Sequence, residues 1–98
     1  MSIIDRLDAE WDFDGFLGRL RRGKFSPDEG DGFLEFIESI KIDDNECIPK
    51  RLVSLLWYLP SFLNWQRVRV VECGGDIDKF DGFITKTHNA LEKILGIP

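Results

Sequence analysis

Apolar residues return every three or four positions along most of the chain, the period of helices that bury one face. Phe33, Phe36, Ile37 and Ile40 form one such face. Ser26-Pro27-Asp28-Glu29 just before it reads as a helix start. Ser26 caps, Pro27 suits the first helical position, and Glu29 closes a capping box. Upstream, Phe13, Phe16, Leu17 and Leu20 share the spacing, with Arg19, Arg21 and Arg22 in the last turn and Gly23 to terminate it. Ser2-x-x-Asp5 predicts a short lead-in turn carrying Ile3, Ile4 and Leu7.

Asp43-Asp44-Asn45-Glu46 reads as a polar connector, and Pro49 as the start of a third helix, Lys50–Leu59, ended or kinked by Pro60. That helix is apolar nearly all round, which predicts a central, buried position, with Trp57 filling core. Ser61–Cys73 is ambiguous. Phe62, Leu63 and Trp65 have helical spacing, whereas Arg67-Val68-Arg69-Val70-Val71 alternates as a strand does. A lone strand has no pairing partner in a helical chain, so the segment is read as helix. Gly74-Gly75 breaks it, and Asp76 caps a last helix with Ile77, Phe80, Ile84, Thr87, Leu91 and Ile94 at heptad spacing, ended by Gly96 and Pro98. The expectation is an all-α fold: one compact bundle of four to five helices, a single domain over residues 1–98.

Asp-Gly-Phe-[Leu/Ile] occurs at Asp14–Leu17, Asp31–Leu34 and Asp81–Ile84. The spacings are unequal, so this is no solenoid repeat. A small residue early in each helix is read as a packing device that lets helices approach.

Charge changes the picture. Asp28–Glu46 holds eight acids against one base, Lys41, and residues 1–48 carry a net −7 while residues 49–98 carry +2. Asp28 and Glu29 suit the positive end of a helix. Asp31, Glu35 and Glu38 recur at i, i+4 and i+7, a stripe opposite the apolar face, and Asp43, Asp44 and Glu46 extend it into the connector. Such a stripe is often mere solvation. Here it is nearly unopposed along the sequence, and a large single-sign field works against compactness, which suggests use. A pI near 4.8 argues against nucleic acid or anionic lipid as a direct partner.

The remaining chemistry is thin. Met1–Arg6 has no basic n-region or long apolar run, so no signal peptide is expected, and the longest apolar run, Leu55–Pro60, falls far short of a membrane span. A cytoplasmic location is expected. Cys47 and Cys73 have no zinc or redox spacing and are read as buried or half-exposed free thiols. Asp12-x-Asp14-Gly15 resembles part of a calcium loop, but Arg21 falls where a bidentate Glu is required, and the Asp31-Gly32 and Asp81-Gly82 registers fail too. His88 is the single histidine; it could form a dyad with Cys47 or Cys73 only if the fold brought them together, and inside the last helix it is read as a surface or boundary residue. No phosphate-binding glycine motif or nucleophile elbow is present. The chain is therefore not read as an enzyme, and no cofactor or metal is implied.

What remains is protein binding. In size, acidity and helical plan, over its whole length, the chain resembles bacterial immunity proteins of the colicin and contact-dependent-inhibition type. Those bind cognate toxins, commonly nucleases, and cover the surface that holds nucleic acid. The resemblance implies a basic protein partner, with Asp31, Glu35, Glu38, Asp43, Asp44 and Glu46 facing its Lys and Arg. Tyr58 or Trp65, flanking Pro60, would supply the apolar anchor. The alternative is a helical adaptor or regulatory subunit, self-associating through exposed aromatics or through edge pairing of a strand at Arg67–Val71.

Overall fold

Residues 2–98 are described by a computed structural model; Met1 lies outside them. The described residues form an all-α bundle, as the periodicity predicts, with six helical segments among them: α1 (Ile3–Trp11), α2 (Phe16–Leu20), α3 (Pro27–Glu38), α4 (Lys50–Leu56), α5 (Leu59–Glu72) and α6 (Ile77–Leu95). No strand occurs among the described residues, and Arg67–Val71 lies inside α5.

The helix starts follow the capping residues. Ser2 accepts from the Asp5 N–H at 3.0 Å, Ser26 from Glu29 at 3.4 Å, and Asp76 from Lys79 at 3.1 Å. The lead-in turn is longer than the sequence predicts. Ser2 caps a full nine-residue helix, because Leu7 is completely buried and Trp11 donates its indole N–H to the Leu55 carbonyl at 3.1 Å, docking α1 on α4. The capping box at Ser26 is half formed. The Ser26 hydroxyl serves the helix, but the Glu29 carboxylate turns to Arg19 of α2 (Nη1–Oε1 2.9 Å).

Gly18 explains the sharp return from α1 to α2. A Cβ there would collide with the Asp12 carbonyl, so the turn closes only over a residue without a side chain. Phe13 lies in this turn, 72% exposed, rather than on the core face where its spacing places it. Gly23, at φ +76°, then ends α2 in the left-handed region, as its position predicts. The packing device read from the Asp-Gly-Phe echo holds only at Gly15, where a Cβ would meet the Ala9 and Glu10 carbonyls. Gly32 and Gly82 face open space.

The third helix stops earlier than expected. Pro60 has no N–H to offer the Leu56 carbonyl, so α4 ends there, and Pro60 sits in the first turn of α5 instead of closing α4. Trp57 falls in the intervening turn. It is 61% exposed, not core, because Leu52, Leu55, Leu56 and Leu59 already fill the inward positions.

The core has two aromatic centres. Phe16, Phe33, Phe80 and Phe83 meet under Phe25, with Phe16–Phe33 centroids 5.2 Å apart and Phe25–Phe80 4.9 Å apart. Trp11, Tyr58 and Phe62 form the other, with Trp11 edge-on to Phe62 at 4.8 Å. α6 packs against both α3 and α5. A bidentate pair, Arg67 Nε–Asp81 Oδ1 at 2.6 Å and Nη2–Oδ2 at 2.9 Å, pins α5 to α6 at the surface. The Arg67 hydrogen bond holds the Asp81 carboxyl below its ordinary value and raises the guanidinium's.

Candidate functional site

The outer edge of α3 carries the acidic ridge. Its inward residues, Phe33, Leu34 and Ile37, are buried, which forces Asp31, Glu35 and Glu38 outward. Asp43, Asp44 and Glu46 are exposed in the connector that follows, where Glu46 Oε1 accepts the Asp43 backbone N–H at 3.1 Å and folds the loop back. Among the described residues none of these six carboxylates forms an ion pair; the pairs formed are Arg19–Glu29, Arg51–Asp8, Arg67–Asp81 and His88–Glu92.

The ridge is less isolated in space than along the sequence. Lys79, Lys86 and Lys93 recur every seven residues on the exposed side of α6. Asp28 and Asp31 line a groove with Lys79 and Lys86, floored by Leu34 and Phe83. Glu38 and Asp43 line the next with Lys41 and Lys93, floored by Ile37, Ile40 and Ile94. The heptad lysines temper the field along the inner edge of the ridge without closing salt bridges. The carboxylates of the outer edge, Glu35 above all, line neither groove. Surface charges so spaced steer a partner more than they stabilise the fold.

Tyr58 and Trp65 have other neighbours. Tyr58 is half-buried and Trp65 is 63% exposed, with their rings edge to face at 5.7 Å. Around them stand Phe62, Gln66, Arg21 and Arg69. The eight predicted binding residues thus divide into an acidic set on α3 and the connector, and an aromatic set on α5 beside the end of α2. Arg21 and Arg69 belong to the second set; sequence reasoning explained Arg21 through the helix dipole and Arg69 as part of a strand-like alternation, and so placed neither beside the aromatics.

Both cysteines are exposed free thiols rather than buried or half-buried ones, and Cys73 Sγ lies 3.5 Å from the Arg22 carbonyl oxygen. His88 is on the exposed side of α6, 3.4 Å from Glu92. Among the described residues no group of His, Cys, Asp or Glu is placed to hold a metal ion, and no helix is long and apolar enough to cross a membrane. No known family, curated protein or solved structure matches the chain.

Proposed function

We propose that this chain is a small acidic binding protein that neutralises a basic protein partner, of the kind bacterial immunity proteins represent: a cytoplasmic inhibitor of a cognate toxin, with a nuclease the natural target class. The observation that carries the reading is the ridge of six exposed carboxylates, Asp31 to Glu46, with no ion-pair partner among the described residues. A nuclease holds phosphates with Lys and Arg, and a rigid helical row of carboxylates competes for the same cations. The connector carboxylates extend the row beyond the helix end. The mechanism is occlusion: long-range attraction raises the encounter rate, and the bound helix covers the cationic cleft.

The test is to express the chain with the product of a neighbouring toxin gene and measure binding kinetics across a salt series. The on-rate is expected to fall steeply as salt rises. Glu35→Lys/Glu38→Lys is expected to weaken the complex by several kcal/mol through like-charge contact. Unchanged affinity in that double variant means the ridge is solvation only. For the adaptor alternative, edge pairing at Arg67–Val71 has no strand to use, because that segment is helical.

A further inference from the structure

The outer face of α5 is apolar where a solvated helix would be polar. Trp65, Val68 and Val71 are each more than half exposed, and Trp57, in the turn before the helix, is exposed as well and stacks edge-on with Tyr58 at 5.7 Å. Isolated exposed apolar residues are ordinary, but Trp65, Val68 and Val71 recur at i, i+3 and i+6 along one side of a helix, the spacing of a contact face.

Three features say what covers it. First, the rim is cationic. Arg21, Arg22 and Arg69 border the row against one acid, Glu72, and among the described residues none of the three arginines forms an ion pair. Arg21 lies over the Phe62 ring at 5.5 Å, and Arg69 is held by donating to the Arg21 carbonyl at 2.7 Å. Both guanidinium groups are held in place, and neither closes an ion pair. Second, Tyr58, Phe62 and Trp65 wall a niche of about 270 Å³ between those arginines. That is below the ordinary small-molecule range and suits one side chain. Third, Gln66 lines the niche, is nine-tenths buried, and its carbonyl oxygen has no hydrogen-bond donor. A buried acceptor without a partner is costly, and a turn of the Gln66 side chain toward the niche would let an entering O–H or N–H answer it.

We propose that this face of α5 docks an acidic polypeptide segment that inserts one aromatic, donor-bearing side chain between Tyr58 and Trp65. Its carboxylates pair with Arg21, Arg22 and Arg69. Trp, Tyr and Arg around a small pocket are the composition of an interface hot spot. A second copy of the chain fits less well, since a twofold contact sets the same arginines against one another. Single-stranded nucleic acid would need a longer positive track than three arginines on a chain of net charge −5. This surface goes beyond the acidic ridge. α6 packs against both α3 and α5, and the two surfaces bind opposite charges.

A random copolymer of glutamate and tyrosine tests the proposal, with polyglutamate and oligo-dT as comparisons, read by tryptophan fluorescence and calorimetry. The Glu/Tyr copolymer is expected to bind at least about tenfold tighter than polyglutamate, as a filled hot spot requires. Arg69→Glu and, separately, Arg22→Glu should each weaken it by about tenfold or more. Trp65→Ala, at an exposed position, should abolish the preference for tyrosine while leaving the melting temperature in place. Glu35→Lys/Glu38→Lys should leave this binding intact, so failure here and failure of the ridge are separately visible. Equal binding by the arginine variants overturns the proposal. So does tighter binding of oligo-dT, or a dimer in sedimentation that Trp65→Ala dissociates.

Discussion

Thr87 sits at the centre of α6 with no accessible surface, and its hydroxyl has no hydrogen-bond partner. Phe83, Ala90 and Leu91 of the same helix are buried around it. Thr87→Val replaces that hydroxyl with a methyl group of nearly the same shape. A buried hydroxyl left unpaired costs roughly 1–3 kcal/mol, and the valine removes that cost without opening a cavity. Valine and threonine are both β-branched, so the helix propensity changes little. The expected gain is about 1–2 kcal/mol, or roughly 4–8 °C in melting temperature per kcal/mol for a domain of this size. Urea denaturation followed by circular dichroism reads it directly: the midpoint should rise with no change in slope. Thr87→Ala is the control, since it also removes the hydroxyl but leaves a void and should destabilise. A Thr87→Val protein no more stable than wild type refutes the reasoning, because it would show that the hydroxyl is satisfied in solution.

Other perturbations probe separate parts of the fold. Gly32→Ala, at a helical position facing open space, should stabilise by about 0.5–1 kcal/mol, whereas Gly18→Ala should destabilise by several kcal/mol or prevent folding, because its Cβ meets the Asp12 carbonyl; thermal melts of the pair decide between them. Asp81 should titrate below an ordinary aspartate, and Arg67→Gln should return it toward the ordinary value, both read by carboxyl NMR. The carboxyl is depressed in the folded state, so its contribution is complete above the unfolded pKa and is lost as pH falls through the folded one. Asp81→Asn should therefore flatten the acid limb of the stability curve and leave the alkaline limb alone. Pairing Trp57→Phe with Trp65→Phe should remove the water-exposed part of the tryptophan emission and leave the blue-shifted signal of Trp11, whose indole is held by Leu55.

Periodicity carried the helices that bury a plain stripe. Phe33 and Ile37 in α3, and Phe80, Thr87, Leu91 and Ile94 in α6, are inward as their spacing requires. The reading failed where the apolar residues outnumbered the inward positions. Lys50–Leu59 is apolar nearly all round, and spacing cannot say which of its large residues loses the competition for the core; Trp57 does, because the chain turns there. α5 also has more apolar residues than inward positions, though it is helical and Trp65 is exposed, as expected. It has buried Leu59, Phe62, Leu63 and Val70 inside and Trp65, Val68 and Val71 outside, so neither a helical nor a strand period stands out. Phe13 looked inward by spacing, but the turn forced by Gly18 puts it outside, where Arg22 covers its ring at 3.9 Å.

The site was legible as charge but not as neighbourhood. A net −7 over Asp28–Glu46 is a property of the chain; how much of it reaches a partner depends on what folds beside it. The seven-residue recurrence of Lys79, Lys86 and Lys93 was visible in sequence, and it becomes meaningful only once α6 is known to pack on α3. The lysines then sit along the inner side of the ridge, in the grooves that hold Asp28, Asp31, Glu38 and Asp43. A cation there lowers the self-repulsion of the carboxylate row, which lets the fold keep six free acids together, and it leaves the outer side negative. The field is therefore directional. A basic partner approaching along Glu35 and the connector meets carboxylates first, and one approaching across α6 meets lysines. On this geometry Lys86→Glu should speed association with a basic partner, and Glu35→Lys should slow it more than Asp31→Lys does, because Asp31 already faces Lys79 and Lys86 across its groove.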